Sequence, residues 1–489
     1  MLLQLDPTLD RSLQEQLVDQ IRARIADGRL PPGRRLPSTR ALATELGVSR
    51  NTVAFAYDHL LAEGYLSARR GTGTFVSDDP PEAFLAAGSA QPAPADADEG
   101  GRRVAPAFRA RQHVLLHEGR LPIDFWVQRT DPGLFPTKTW RRHLGDCLAY
   151  SGTNLTDYGD PLGLPELRAV IAERVAALRG IAVGPDQVFV VAGAQLALNL
   201  VARLFLRGGE TVVVETPCNQ GAAYLFEGCG ATLLPVPLDR DGLLTDRLPD
   251  GKVTLAYTTP SHQFPLGVTL SLERRQALLR WAAAAGAYVV EDDYDSHFFY
   301  EERPLPALKA LRDDLVIHLG TFSKSLGAGL RLGYAVLPKA LVPEATAAKA
   351  LLDNGPPWLE QAALARFIGG GGFDRHLRRI RQVYLDRRDC LLAAMREHFG
   401  AVELLGAGCG THVSWVLPQD WPEAPVIEAA ARAARVGVYT LPNGGGQEYG
   451  EATRGDRTLM LGYATLSPAQ IRHGVAILAD VIRHLRRGG

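Results

Sequence analysis

The sequence predicts an α/β chain in two parts. A small N-terminal unit of three helices and a β-hairpin precedes a large unit in which helices pack on both faces of a mixed, mostly parallel sheet. Three observations carry this. Helix-spaced apolar residues run from Leu13 to Leu61 and give way to a glycine-centred hairpin. A segment rich in Ala, Pro, Asp and Gly then extends from Ser77 to about Arg111. Beyond it, amphipathic stretches alternate with short β-branched runs. The 489 residues are too many for one core, and 46% hydrophobic with 22% charged residues excludes a mostly disordered, collagen-like or coiled-coil chain.

Leu13, Leu17, Ile21 and Ile25 share one helix face at i, i+4 spacing, and Gly28 can close that helix. Ser38 can cap a second helix carrying Leu42 and Leu46, which stops at Gly47. Ser49 can cap a third, with Val53, Tyr57, Leu60 and Leu61 inward. After Gly64, YLSARRGTGTFVS reads as a hairpin turning at Gly71-Thr72-Gly73. This is a winged helix-turn-helix plan, expected over 1–77. A flexible linker is expected over 78–115, because its composition buries too little apolar surface to offset ordering entropy. In the large unit, 116–489, helix-like stretches at Leu164–Leu178, Leu272–Ala285, Leu359–Ile368, Arg375–Phe399 and Ile471–Leu485 alternate with strand-like runs at Val188–Val191, Thr211–Val214, Tyr288–Val290 and Val316–Leu319.

The five cysteines, Cys147, Cys218, Cys229, Cys390 and Cys409, are widely spaced with no C-x-x-C pair. Neither a disulfide framework nor a zinc site is expected, and no metal centre. No apolar run approaches the roughly 18 residues of a membrane helix, and Met1 to Arg11 shows no signal-peptide pattern, so a cytoplasmic protein without membrane contact is expected.

The net charge is only −1, yet between Gly28 and Ser77 seven arginines face three acids. Arg50, Asn51 and Thr52 occupy the first turn after Ser49, where side chains reach base edges in a major groove. Arg40 suits a phosphate, and Arg69 and Arg70 beside Gly71 suit a wing on the backbone or minor groove. A helical hairpin used for protein contacts would also carry arginines, but a polar first turn and a basic wing on one edge favour double-stranded operator DNA. The run LPSTRALATELGVSRNTVAFAYDHLLAEGYLSARRGTGTFV resembles the DNA-binding domain of GntR-type transcription regulators.

The sharpest chemical signal is GTFSKSLGAGLRLGY, Gly320 to Tyr334. Only six of 53 basic residues are lysines, and Lys324 stands among Ser and Gly. A lysine that forms a Schiff base with an aldehyde cofactor needs such a loop, and Arg331 is a planar fork matching a phosphate. YVVEDDYDSHF, Tyr288 to Phe298, ends a strand in carboxylates and a phenol, suited to a pyridinium N–H and a ring oxygen. In VVAGAQLALNLVARLF, Gly193-Ala194-Gln195 opens a helix whose first N–H groups suit an anion.

Together these elements resemble fold type I pyridoxal phosphate (PLP) enzymes, the aminotransferase family. With the N-terminal unit the whole chain resembles MocR-type regulators; IDFWVQRTDPGLFP, YGDPLGLPELR, TTPSHQFPLG and LMLGYATLSPAQIRHG are further matches. The resemblance implies a smaller C-terminal α+β subdomain. It implies Lys324 as the internal-aldimine lysine, and Asp292, or Asp293 one residue on, at the pyridine nitrogen. Tyr294 would lie at the phenolic oxygen. Arg331, Thr321, Ser323, Ala194 and Gln195 would hold the phosphate, and Tyr158 the phosphate of the neighbouring subunit in a head-to-tail homodimer. It further implies that PLP, an amine or amino acid effector, and operator DNA are the ligands.

Three positions depart from the family pattern. Asn219 replaces a ring-stacking aromatic but can still hydrogen-bond the cofactor, Phe264 replaces an Asn at the phenolic oxygen, and Met460 the arginine that grips a substrate carboxylate; Arg457 is the nearby substitute. A cofactor on Lys324 survives these changes, whereas turnover also needs orientation and proton transfer. The expectation is a regulator sensing an amine, an amino acid or PLP itself, with weak or absent turnover. The alternative is an active aminotransferase carrying a DNA-binding domain.

Overall fold

The computed structural model describes residues 3–7, 11–69, 72–79, 81, 121–295, 297–301, 304–450 and 454–488. The chain divides into Met1–Ala105 and Pro106–Gly489. Of the expected linker, all but residues 78, 79 and 81 lie outside the described residues.

In the first unit, α1 (Leu13–Ala26) opens on a capping box in which Ser12 and Glu15 satisfy each other's backbone N–H groups. α2 (Thr39–Leu46) is capped by Ser38 and ends where Gly47 turns left-handed at φ +67°. α3 (Arg50–Ala62) is capped by Ser49. The hairpin β1 (Leu66–Arg69) and β2 (Gly73–Val76) pairs Leu66 with Val76 and Arg69 with Gly73. Leu17, Ile21, Leu42, Val53 and Leu60 are completely buried in one core with Tyr57 and Val76. Truncating any of these aliphatic residues to Ala would cost about 2–5 kcal/mol.

The second unit is built on eight strands: β3 (Val188–Val191), β4 (Thr211–Thr216), β5 (Thr232–Asp239), β6 (Gly242–Leu243), β7 (Leu255–Thr258), β8 (Tyr288–Asp293), β9 (Val316–Thr321) and β10 (Gly333–Val336). Their order is β3-β10-β9-β8-β7-β4-β5-β6. The five strands from β9 to β5 run parallel; β10 opposes both its neighbours, and β6 opposes β5. β3, β7 and β9 are buried at every residue, as strands covered on both faces must be. Alternate side chains feed opposite cores. Val212, Val214, Tyr257 and Val290 pack with helix Ala194–Phe205 on one face, while Val213, Ala256 and Val289 pack with helix Leu272–Ala285 on the other.

A smaller antiparallel sheet follows: β11 (Glu403–Leu405), β12 (His412–Val416), β13 (Tyr439–Thr440) and β14 (Thr458–Gly462), in the order β11-β12-β14-β13. It shares a core around Trp415, Tyr384, Leu391 and Leu461 with helices Gly372–Phe399 and Pro468–Gly488.

Two expectations change in detail. The helix expected over Leu164–Leu178 starts at Pro165, loosens to a wider coil over Ile171–Ala176, and ends in a tight turn before Gly180 at φ +73°. β8 runs on to Asp293, so its carboxylates lie within the strand and not in a loop after it. Buried partners on both faces make this possible, because a buried charge persists only where it is bonded.

Candidate functional site

The N-terminal unit presents Arg40, Arg50 and Asn51 exposed at the starts of α2 and α3. Ser49 and Thr52 are engaged in the cap: Thr52 N–H donates to Ser49 Oγ at 3.1 Å, and the two hydroxyls bond at 2.9 Å. Arg69 lies 4.8 Å over the Phe75 ring and 3.4 Å from Asp78, so the wing holds it down. Arg70 and Gly71 lie outside the described residues.

In the second unit, register brings the expected PLP residues to the C-terminal edge of the parallel strands, where α/β sites form. Asp293 of β8 stands beside Gly320 of β9, Thr321 beside Gly333 of β10, and Gly333 beside Val191 of β3. From Thr321 the chain enters a helical turn, Ser323–Gly327, that carries Lys324. The half-buried Lys324 Nζ donates to the Val127 carbonyl at 3.3 Å. Burial lowers its pKa to about 8, and only the nearby Asp295 opposes that shift. The Thr321 and Ser323 hydroxyls bond at 2.9 Å.

The same loop ends at Arg331, a non-glycine residue held left-handed at φ +50°. Its Nη2 donates to the Ala192 carbonyl at 2.5 Å. A Cβ on Gly193 would fall 2.9 Å from that nitrogen, and its φ of +87° favours glycine there. Gly193 (φ +87°) precedes helix Ala194–Phe205 without capping its N–H groups by a side chain. The first N–H groups, at Ala194 and Gln195, have no partner within the helix and open beside the guanidinium. Gln195 Nε2 donates to the Gly221 carbonyl at 3.2 Å, which brings the Asn219 segment alongside. Asn219 itself caps the next helix, accepting the Gly221 N–H at 2.7 Å.

β8 separates the two candidate carboxylates by the alternation of a strand. Asp292 faces Tyr257, whose Oη donates to its Oδ2 at 2.8 Å; its Oδ1 is buried with no hydrogen-bond partner. Burial raises the Asp292 pKa to about 6. Asp293 faces the other way, bonded to Arg179 Nε at 2.7 Å. Tyr294 lies edge-on to Phe264, with ring centroids 6.0 Å apart.

Some site residues carried no sequence signal strong enough to single them out. Tyr257 reads as a core aromatic in LAYT. His262 and Asp295 sit inside quoted motifs, but only the fold pairs them: His262 Nδ1 is 2.8 Å from Asp295 Oδ2 and 3.1 Å from Tyr294 Oη. The His412 ring lies 4.8 Å from that of His262, tilted by 55°.

Two expected residues remain: Arg457 as the substitute arginine, and Tyr158 for the phosphate of a neighbouring subunit. Arg457 donates to the Trp421 carbonyl at 3.0 Å, outside the Phe264–Met460 cluster that Tyr294 joins. Its neighbours Leu459 and Leu461 enter the helix-covered core, whereas Met460 enters the Phe264 cluster. Met460 lies on the Phe264 face of the strand, whereas Arg457 ends the helical turn Arg454–Arg457 before that strand and bonds to Trp421. Tyr158 is 86% exposed.

A three-helix winged unit ahead of a sheet with an edge-bound lysine, a buried carboxylate and an anion corner defines a helix-turn-helix transcription regulator joined to an aminotransferase-like unit. Residues 13–76 match the bacterial regulatory proteins of the gntR family, and residues 128–443 match aminotransferase class I and II. The chain is 36% identical to the probable rhizopine catabolism regulatory protein MocR of Rhizobium meliloti, over 100% of this chain and 97% of that one. It is 32% identical to the pyridoxine biosynthesis transcriptional regulator PdxR of Corynebacterium glutamicum, over 98% of each. Among solved structures, Pyrococcus horikoshii kynurenine aminotransferase superposes with a TM-score of 0.68 at 27% identity, covering 75% of this chain and 92% of that one. The α-aminoadipate aminotransferase LysN of Thermus thermophilus, solved with N-(5'-phosphopyridoxyl)-L-leucine, gives 0.66 at 29% identity, covering 74% and 92%. The chain belongs to the MocR-type regulators of the gntR family. Among the described residues, no helix is long and apolar enough to cross a membrane.

Proposed function

We propose that this transcription regulator holds PLP at Lys324 and reads an amine or amino acid there, and that occupancy alters its grip on operator DNA. The observation that carries the reading is the set of unmet needs along one sheet edge: a weakly held amine at Lys324, an unpartnered Oδ1 on Asp292, and open N–H groups beside Arg331.

These groups fit the cofactor. Asp292 Oδ1 is an acceptor with no partner among the described residues, which suits a pyridine N–H. Arg331, the Ala194 and Gln195 N–H groups and the Thr321 and Ser323 hydroxyls offer a phosphate the charge and donors it needs. Lys324, with its pKa near 8, carries a useful neutral fraction at physiological pH. When bound, PLP would supply an aldehyde for that amine and an electron-withdrawing ring. The chain's part is to hold the ring's nitrogen end at Asp292, its phosphate at the Arg331 corner, and its phenolic edge near Tyr294.

A ligand alters DNA binding only through different affinity for two arrangements of the protein. Tyr150 and Tyr158 are 80% and 86% exposed, with Leu148 and Leu155 exposed beside them in the chain. A second copy covering this segment would bury apolar surface and deliver Tyr158 to its neighbour's phosphate. The absence of an arginine at Met460 favours sensing over amino-acid turnover.

The test loads purified protein with PLP and screens amino compounds for a change in visible absorbance, then footprints DNA with and without the active compound. The expected result is an absorbance change and an altered footprint without sustained keto-acid release. Turnover at ordinary enzyme rates, or no absorbance at all, overturns the proposal.

A further inference from the structure

Resting on the PLP reading above, a second layer of the site can be assigned. We infer that His262, locked by Asp295, is a positioning residue that orients the Tyr294 hydroxyl as an outward-facing donor.

Tyr294 Oη and Asp295 Oδ2 both face one nitrogen, His262 Nδ1, at 3.1 and 2.8 Å. A carboxylate can only accept, so Nδ1 must carry the proton. That N–H is then shared between Asp295 and the Tyr294 oxygen. Tyr294 is the acceptor in this contact, and its own proton is directed elsewhere.

The far side of the ring agrees. His262 Nε2 is buried and has no hydrogen-bond partner among the described residues. A bare lone pair tolerates that position better than an unpaired N–H, which would forfeit a full donor. Two backbones make room for it: a Cβ on Gly267 would come within 2.8 Å of Nε2, and one on Gly406 within 3.0 Å. Both glycines have positive φ, +82° and +79°. On a third side a Cβ on Gly410 would fall 2.1 Å from the ring's Cε1 and 2.7 Å from Asp295 Oδ2. The imidazole and its carboxylate are therefore enclosed by positions that exclude side chains.

The charged and titratable groups facing this pair come from several elements. His412 of β12 lies tilted against the ring and is held neutral by burial. The Cys409 thiol feels Asp295 and is pushed up to about 12, chiefly by burial. Asp295 in turn opposes the fall in the Lys324 pKa. Phe264 closes the edge of Tyr294, where aminotransferases place an asparagine donor, which makes the direction of the tyrosine proton matter more.

Two measurements on the full-length protein test this. In cofactor-free protein selectively labelled with 15N-histidine, His262 should report a protonated Nδ1 and a bare Nε2; a protonated Nε2 with bare Nδ1 overturns the inference. In PLP-loaded protein, a hydroxyl donating to the ring's phenolic oxygen favours that oxygen as an anion. Losing the donor should therefore raise the pH midpoint of the visible absorbance, by about one unit, or tenfold in the ionisation constant. His262→Leu should show this rise. His262→Asn, as short as the Leu variant but with an N–H near where Nδ1 stands, should keep the parent midpoint. Adding Tyr294→Phe to His262→Leu should shift it little further. Equal midpoints for the Leu and Asn variants overturn the inference. Loss of visible absorbance in the parent protein refutes the PLP reading instead, and the tautomer measurement still decides the role of His262.

Discussion

Tyr257 donates its phenolic proton to Oδ2 of Asp292 at 2.8 Å, leaving Oδ1 of the same carboxylate buried and unpartnered. The two side chains meet because β7 and β8 are parallel neighbours and place Tyr257 beside Val290, two residues before Asp292 on the same face. One hydrogen bond steadies a carboxylate whose other oxygen has no partner among the described residues.

The first consequence concerns pH. With its pKa raised to about 6, Asp292 binds its proton more tightly in the folded state than in the unfolded chain. The cofactor-free protein should therefore lose stability as pH rises from about 4 to 6, by on the order of 2–3 kcal/mol. Asp292→Asn should flatten that slope and raise the melting temperature at pH 7 while weakening PLP retention. Parallel melting curves from pH 4 to 8 would refute the assignment.

Lys324 offers a second titration with the opposite sign. Burial favours its neutral form, so the cost of folding around it is largest below pH 8 and fades as pH rises toward 10.5. Acylation of Lys324, followed by mass spectrometry in cofactor-free protein, should reach half its maximal rate near pH 8, against about 10.4 for exposed lysines. A midpoint matching the exposed lysines counts against the buried amine, and PLP should protect the site.

Arg331 combines backbone strain with an anion corner. Asparagine tolerates the left-handed region better than most residues, so Arg331→Asn should leave stability within about 1 kcal/mol. Its loss of the guanidinium should weaken PLP binding at least tenfold, measured by equilibrium dialysis. Undiminished binding would place the phosphate elsewhere.

On the DNA side, Arg50→Ala should weaken specific operator binding by about 1–3 kcal/mol if it reads a base. Competition between operator and unrelated DNA separates the cases, since equal losses on both make Arg50 a phosphate contact.

Asn219 caps a helix through its Oδ1, and its amide is still the group that could hydrogen-bond the cofactor. Asn219→Ala should cost about 1 kcal/mol in denaturant unfolding, the ordinary price of a lost N-cap. A change confined to PLP affinity, with stability intact, would return it to the cofactor.

Much of the architecture is legible locally. Periodicity marks the core faces of α1 to α3, Ser38, Ser49 and Gly47 mark their ends, and β-branched runs mark the strands, because each signal depends on residues a few positions apart. Lys324 and Arg331 are legible for the same reason: one short loop carries both. Asp292 and Asp293 are not separable locally, since a strand one residue longer or shorter looks the same in composition. The three-dimensional partners separate them, Tyr257 on one face and Arg179 on the other.

The chain by itself therefore determined the two-unit plan, the α/β class and the segments that bear chemistry, all encoded in short-range spacing. Which oxygen is left unpaired, how Arg457 meets Trp421, how Asp78 and Phe75 hold Arg69, and how His262 meets Asp295 and Tyr294 were decided only by the tertiary structure. Those relations join residues distant in sequence or set by strand face, and hydrogen-bond satisfaction and burial act on distance in space.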